Sequence, residues 1–115
     1  MRTIAEYIVD QRNFSKRTFK NSNCNSVVAH IKKEIEEVQA NPYDLMEWID
    51  IIILSLDGYW RAGGDPFSFM DLMERKLEIN KNRKWGVPDK DGVVEHLKCL
   101  CGGVGCNSCE PQGRG

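Results

Sequence analysis

Carboxylates occur in this sequence at spacings that could bind a metal ion. Glu47 and Asp50 stand three residues apart within the largely apolar run 45–60, and Glu34 and Glu37 have the same spacing shortly before it. Three residues are close to one helical turn, so each pair lies on one side of a helix. A charged stripe on an apolar helix is costly unless the charges are paired or bind metal. The pattern therefore predicts a site for Mg²⁺ or Mn²⁺, which prefer oxygen ligands.

A row of basic and amide side chains follows later in the chain. Lys76, Asn80 and Arg83 are separated by four and three residues, so they share one helix face and could hold a polyphosphate. The same face could instead be solvated and paired with Glu74 or Glu78, and the residues alone leave that open. Carboxylate-held Mg²⁺ together with such a row is what a nucleoside triphosphate requires.

Four helices are expected to position these residues. Apolar side chains recur at spacings of three and four, and each segment has an N-terminal capping signal. Residues 15–25 are rich in polar residues and are expected to form a loop, and strand signals are nearly absent. The prediction is an all-α bundle in which the second and third helices form an antiparallel hairpin that gathers the four carboxylates. The expected helices span about 4–13, 26 to the turn at 40–42, 41–61 and 65–83, with capping signals at Thr3, Ser26, Asn41 and Asp65.

Length and charge narrow the classes of function. The chain has 115 residues, which suits one domain, and 16 Lys or Arg against 17 Asp or Glu give a formal charge of −1. We therefore expect no nucleic-acid partner and no membrane partner, because no overall field attracts an anionic surface. No apolar stretch reaches membrane-spanning length, and a cytoplasmic protein is expected. The P-loop motif of other nucleotidases is missing from the sequence.

The composition changes near residue 86, where Gly, Pro and Cys become frequent. We expect a helical domain at 1–85 and an irregular tail at 86–115. Four cysteines of the tail lie within eleven residues and could wrap one Zn²⁺ as a Cys₄ knuckle, since clustered thiols in a reducing compartment bind metal or stay free. They are Cys99, Cys101, Cys106 and Cys109.

Two sequence blocks carry a resemblance to a known family. Glu34-x-x-Glu37 followed by Glu47-x-x-Asp50 resembles the metal signature of the MazG-like all-α nucleoside triphosphate pyrophosphohydrolases. The blocks EWIDIIILSLDGYWRAG at 47–63 and KLEINKNRKW at 76–85 are similar to the small branch of dATP/dGTP diphosphohydrolases found in phages and bacteria.

The resemblance implies cleavage between the α and β phosphates of a purine deoxynucleoside triphosphate such as dGTP or dATP, giving dNMP and pyrophosphate. By position, Glu34, Glu37, Glu47 and Asp50 would be the catalytic carboxylates that hold Mg²⁺. Binding of the substrate would fall to Lys76, Asn80 and Arg83 at the phosphates, with Asp57 and Arg61 supporting the metal ligands or a subunit contact. It further implies a bundle completed by assembly into a homodimer or homotetramer and, for a phage-encoded chain, action in the host cytoplasm.

Two other functions compete with this interpretation. A non-catalytic helical adaptor would keep the bundle and use the cysteine tail to contact a partner, although a degenerate copy is expected to lose at least one of the four carboxylates. A dUTPase-like house-cleaning pyrophosphatase would share the metal site but bind another base, which depends on pocket walls that no local spacing fixes.

Overall fold

The structure is a computed structural model that describes residues 1–99 and 111–114. Two compact units divide the chain, Met1–Met70 and Asp71–Gly115. They differ from the expected body at 1–85 and tail at 86–115, and that functional division stays a prediction. The first unit is helical and holds the residues of the expected metal site. Its elements are α1 (Ile4–Thr18), α2 (Cys24–Ala40), α3 (Leu45–Arg61), a 3₁₀ turn (Pro66–Ser68) and the start of α4 (Phe69–Asn82).

The first helix begins where its capping box predicts but ends later. The backbone N–H of Glu6 donates to Thr3 Oγ1 (3.2 Å), and the Thr3 backbone N–H donates to Glu6 Oε1 (3.0 Å). The expected end near residue 13 is wrong, because α1 continues to Thr18 with Ser15 buried, and the loop expected at 15–25 is confined to residues 19–23. Tertiary contacts of Ser15 override the polar composition that suggested a loop.

The starts of α2 and α3 both differ from the expected positions. Asn23 caps α2 by accepting from the backbone N–H of Ser26 (3.0 Å), so Ser26 completes a capping box instead of being the cap. Asn41 ends α2, and Asp44 is the N-cap of α3, accepting from the backbone N–H of Met46 (3.0 Å). The expected start of α3 at residue 41 is wrong because two capping residues compete in this connection and Asp44 prevails.

The two helices α2 and α3 pack in antiparallel directions. Val27, near the start of α2, lies beside Gly58, near the end of α3, where an added Cβ would be 3.5 Å from Val27 Cγ1. The apolar core of this unit is small, and α1 packs against α3 to complete it. Its buried apolar residues are Ile8, Val27, Val38 and Leu56.

In the single chain, α3 is less enclosed than its sequence suggests. Leu56 is its buried apolar residue, whereas one face exposes large apolar side chains to solvent. The apolar composition of α3 is therefore not matched by its burial in the single chain. The exposed apolar residues of α3 are Leu45, Met46, Trp48, Ile49 and Ile52.

The second unit contains most of α4 and a β element. The expected fourth helix from residue 65 is a 3₁₀ turn followed by α4, with Pro66 at the start of the turn. After α4, Trp85 and His96 form an antiparallel bridge around a turn in which Gly92 has φ +80°. Strand β1 (Leu97–Cys99) then pairs antiparallel with β2 (Pro111–Arg114).

The sequence predicted an irregular tail, but part of the tail forms paired β-structure. Of the four cysteines expected to bind Zn²⁺, Cys99 has only its backbone described, in β1. The other three, Cys101, Cys106 and Cys109, lie outside the described residues. Zinc binding stays a prediction.

Candidate metal site and adjoining pocket

Three carboxylates meet where α2 and α3 pack together. Glu34 comes from α2, and Glu47 and Asp50 come from α3; each offers an oxygen, and these oxygens all lie within 4.8 Å of one another. Glu34 and Glu47 are partly buried and Asp50 is exposed. The cluster exists because the antiparallel pairing places the middle of α2 beside the start of α3.

The fourth expected ligand, Glu37, is exposed and lies outside this group of three. Its charge nevertheless reaches the site: partial desolvation, then the charges of Glu37, Asp44, Asp50 and Glu34, raise the pKa of Glu47. Like charges disfavour the ionised form of a neighbouring carboxyl group. Negative charge thus accumulates around Glu47, and no positively charged side chain is among the groups that shift its pKa.

Such a donor set fits a hard divalent cation. The ligands are all carboxylate oxygens, as Mg²⁺ and Mn²⁺ prefer, and the repulsion that raises the pKa of Glu47 is relieved when a cation binds. His30 lies one turn before Glu34, with Nε2 3.4 Å from Glu34 Oε1, and its side chain is largely exposed. The carboxylates are therefore the residues that could hold the metal.

Asp57 lies on α3 but belongs to a separate buried hydrogen-bond network. Its Oδ1 accepts from Gln11 Nε2 (2.8 Å) and from the Trp60 indole (3.1 Å). Its Oδ2 accepts from the hydroxyl of Ser15 (2.7 Å). Asp57 is 8% exposed, so these neutral donors replace the water that a surface carboxylate would have.

Arg61 supports the same network from the next turn of α3. Its Nη2 donates to the hydroxyl of Ser15 (2.9 Å), its Nη1 donates to the carbonyl of Ser22 (2.8 Å), and its guanidinium lies over the ring of Trp60 (4.3 Å). Arg61 thus fastens the end of α1 and the following connection to α3. The charged residues of α3 thus fall into two groups. Glu47 and Asp50 belong to the candidate metal site near its start, and Asp57 and Arg61 belong to this network near its end.

Gln11 and Ser15 were missed in the sequence, although a signal for them exists. Ile4, Ile8, Gln11 and Ser15 follow spacings of four, three and four, so Gln11 and Ser15 continue the apolar stripe that begins with Ile4 and Ile8. Two polar residues on a buried stripe need partners, and Asp57 supplies one for each of them.

A cavity of about 350 Å³ adjoins both groups. Glu34, Asp50 and Asp57 all line it, and Asp50 and Asp57 are about two helical turns apart on α3. Ser22, Ser26, His30 and several apolar side chains form the rest of the wall, so a molecule in this cavity meets apolar surface as well as polar groups. The apolar lining includes Phe14, Phe19, Val27, Ile53 and Leu54.

The expected phosphate-binding row lies in the second unit. Arg83 Nη1 donates to Asn80 Oδ1 (3.0 Å), and the Trp85 indole donates to the carbonyl of Asn80 (2.9 Å). Lys76 is exposed. Asn80 and Arg83 therefore act as one hydrogen-bonded pair near the end of α4.

Among the helices that the structure describes, none has the length and apolar character needed to cross a membrane.

Comparison with known proteins identifies relatives of this chain and of its fold. The profile of a family described as dATP/dGTP pyrophosphohydrolase matches residues 7–100. The chain superposes with a TM-score of 0.71 on a cyanophage S-2L MazG-like pyrophosphohydrolase bound to dGDP and three catalytic Mn²⁺ ions per active site. The two are 26% identical, and the match covers 84% of this chain and 99% of the other.

A curated relative comes from another phage. The Eaa protein of Salmonella phage P22 is 44% identical over 61 residues, which are 51% of this chain. The matched segment makes up 19% of that protein, so the similarity covers about half of this chain and about a fifth of the relative. Similarity to phage proteins thus appears in both the sequence and the fold.

Proposed function

Because the chain belongs to the dATP/dGTP pyrophosphohydrolase family, a family of enzymes, we propose that it hydrolyses purine deoxynucleoside triphosphates between the α and β phosphates. One P–O bond is broken, water supplies the oxygen to one side, and the products are dNMP and pyrophosphate. The observation that carries the proposal is the convergence of Glu34, Glu47 and Asp50. The setting would be the host cytoplasm for a phage-encoded chain.

The three carboxylates would hold Mg²⁺ or Mn²⁺, with Glu37 adding charge at the edge of the site. A divalent cation bound there supplies charge neutralisation for the triphosphate and lowers the pKa of bound water. The structural relative, with dGDP and three catalytic Mn²⁺ ions, supports this role. Dependence of the activity on Mg²⁺ or Mn²⁺ is part of the proposal.

The phosphate contacts are assigned to Lys76, Asn80 and Arg83 on the basis of the family resemblance. The bond between Arg83 and Asn80 would hold the guanidinium in one orientation for a phosphate. We expect Lys76→Met and Arg83→Met to raise KM for the triphosphate. Both should have little effect on the melting temperature, since neither side chain is fully buried. Lys81→Met, also exposed on α4, is the matched control.

Assembly into a homodimer or homotetramer belongs to the same proposal. The exposed apolar face of α3 favours it, because large exposed apolar patches commonly mark interfaces. Sedimentation equilibrium at several concentrations measures the state. A monomer at all concentrations would leave the enzyme proposal intact and remove this part of it.

The decisive experiment measures pyrophosphate release from a panel of ribo- and deoxynucleoside triphosphates with Mg²⁺ or Mn²⁺. Release from dGTP and dATP should be lost in Glu47→Gln and Asp50→Asn and kept in Glu36→Gln, whose side chain is exposed on α2 outside the carboxylate group. Release from dUTP alone would favour the house-cleaning alternative. No release by folded protein with metal present would overturn the proposal in favour of an adaptor.

A further inference from the structure

We propose that the cavity beside the carboxylates binds the purine base of the nucleotide and that Asp57 determines specificity by accepting a hydrogen bond from a donor on the base edge. The inference rests on the proposed function, since it assigns the part of the substrate that the metal site does not bind. It concerns residues of the first unit only.

The walls of the cavity suit a flat heteroaromatic ring. Phe14 and Phe19 are in edge-to-face contact, with centroids 6.1 Å apart, and both line the cavity with Val27. Apolar and aromatic walls bind a planar ring through area and stacking. A volume of about 350 Å³ is at the lower end of small-molecule pockets, about 300–1,000 Å³, which fits a base better than a whole triphosphate.

The position of the cavity orients the nucleotide. Glu34 and Asp50 line the cavity and belong to the carboxylate cluster, so one molecule can reach both. When the base lies among the apolar side chains, the phosphates can reach Glu34 and Asp50. Within the described residues, these two belong to the group of carboxylates that could bind a metal ion. The charged and apolar parts of a nucleotide thus match the carboxylates and the apolar side chains that line this cavity.

Asp57 is prepared to accept one more hydrogen bond. An ionised carboxylate can accept about four and donates none. Three are made by Gln11, Trp60 and Ser15, and of these only the one from Ser15 is on Oδ2. The network fixes the carboxylate in place, so its remaining capacity at Oδ2 is preorganised for a donor.

Acceptor-only chemistry at Asp57 selects among purines. Adenine offers its 6-amino group, and guanine offers its ring N1–H and 2-amino group, whereas unsubstituted purine presents acceptors alone along that edge. A site that is built to hydrogen-bond a substrate group rejects an analogue without it, because a buried polar group is then left facing no donor. Purines that carry a donor are therefore the expected ligands.

The experiment follows the Trp60 indole N–H by NMR, because this group donates to Asp57 Oδ1 and reports on the carboxylate. Full-length protein with Mg²⁺ is titrated with dAMP, dGMP and the 2′-deoxyribonucleoside monophosphate of unsubstituted purine. We expect saturation by dAMP and dGMP at concentrations about 10- to 100-fold lower than for the unsubstituted purine. Equal affinities, or no shift with any of the three, would overturn the assignment.

Two variants complete the test. Asp57→Asn should remove the preference for donor-bearing bases, and Asp10→Asn, an exposed α1 carboxylate paired with Arg2, should keep it. Should Asp57→Asn fail to fold, the three-ligand comparison on the unchanged protein still decides the question. Pyrophosphate release from dATP is measured in parallel. A lack of pyrophosphate release would count against the proposed function only. The ratio of the affinities for the three monophosphates tests the base-binding site.

Discussion

The hydroxyl of Ser15 on α1 donates a hydrogen bond to the carboxylate of Asp57 on α3, with an O···O distance of 2.7 Å. The same hydroxyl accepts from Arg61 (2.9 Å), so one small side chain joins a carboxylate and a guanidinium that form no direct ion pair by the distances in the structure. Ser15 is 1% exposed, and water cannot replace it. This hydroxyl links α1 to the part of α3 next to the cavity.

Removing that hydroxyl should destabilise the protein. In Ser15→Ala, Asp57 loses a donor and Arg61 loses an acceptor in a buried place, and we expect the free energy of unfolding to fall by about 1–3 kcal/mol. Ser55→Ala, which removes an exposed hydroxyl on α3, is the control and should change it by less than about 0.5 kcal/mol. Urea unfolding at one fixed protein concentration measures both. Equal effects would contradict a special role for Ser15.

Neutralising one carboxylate of the candidate metal site should change thermal stability in opposite directions without and with metal. Without metal, Glu47→Gln removes a partly desolvated charge that neighbouring carboxylates repel, so its melting temperature should exceed that of the unchanged protein. With Mn²⁺ in excess the order should reverse, because cation binding stabilises only the protein that keeps its ligands. Glu36→Gln should show neither effect. A metal-free Glu47→Gln protein that melts lower would argue against charge repulsion at this site.

The raised pKa of Glu47 predicts a definite pH dependence. Since the folded state holds this proton more tightly than the unfolded state, the resulting stabilisation is complete below the ordinary glutamate pKa, about 4.3, and is lost as the pH rises through the raised value. The unchanged metal-free protein should therefore lose stability relative to Glu47→Gln across that interval. Urea midpoints measured from pH 4 to 7 give the difference, which cancels the contributions of other groups such as Glu6. A gap that narrows with rising pH would contradict the assigned cause.

Two glycines near the end of α3 should respond in opposite ways to alanine. A Cβ at Gly58 would make ordinary contact with Val27 at 3.5 Å, and Gly58→Ala should stabilise the helix by about 0.5–1 kcal/mol. A Cβ at Gly64 would lie 2.5 Å from the ring of Tyr59, so Gly64→Ala must displace this ring and its hydrogen bond to the carbonyl of Asp65. Thermal unfolding distinguishes them. Stabilisation by both substitutions would mean that the Tyr59 ring moves at little cost.

Local signals predicted the helices better than their junctions. The Thr3 capping box acts through neighbouring residues, and the predicted start of α1 agrees with the structure, as does the predicted end of α3 at Arg61. The start of α3 was misplaced because Asn41 and Asp44 are both good caps, and the choice between them depends on how the connection packs, including the Trp48 indole on the carbonyl of Pro42. Local pattern carries no information of that kind.

The same distinction applies to the site. Glu34, Glu47 and Asp50 were predictable because a short hairpin connection leaves few ways to pair two helices with three-residue carboxylate spacing. Ser15 was lost because its polar neighbours, Asn13, Lys16 and Arg17, obscured the helical stripe. The fixed orientation of Asp57 arises from residues more than 40 positions apart, which periodicity cannot detect.

The four-residue connection between α2 and α3 has a further consequence for metal binding. It joins the two helices that carry Glu34, Glu47 and Asp50, so folding alone brings the proposed ligands together, as in a preorganised chelating agent. The effective concentration of the second and third carboxylates around the first is set by folding and does not depend on the cation. Lengthening this connection with flexible residues would therefore weaken cation affinity while leaving every ligand in the sequence.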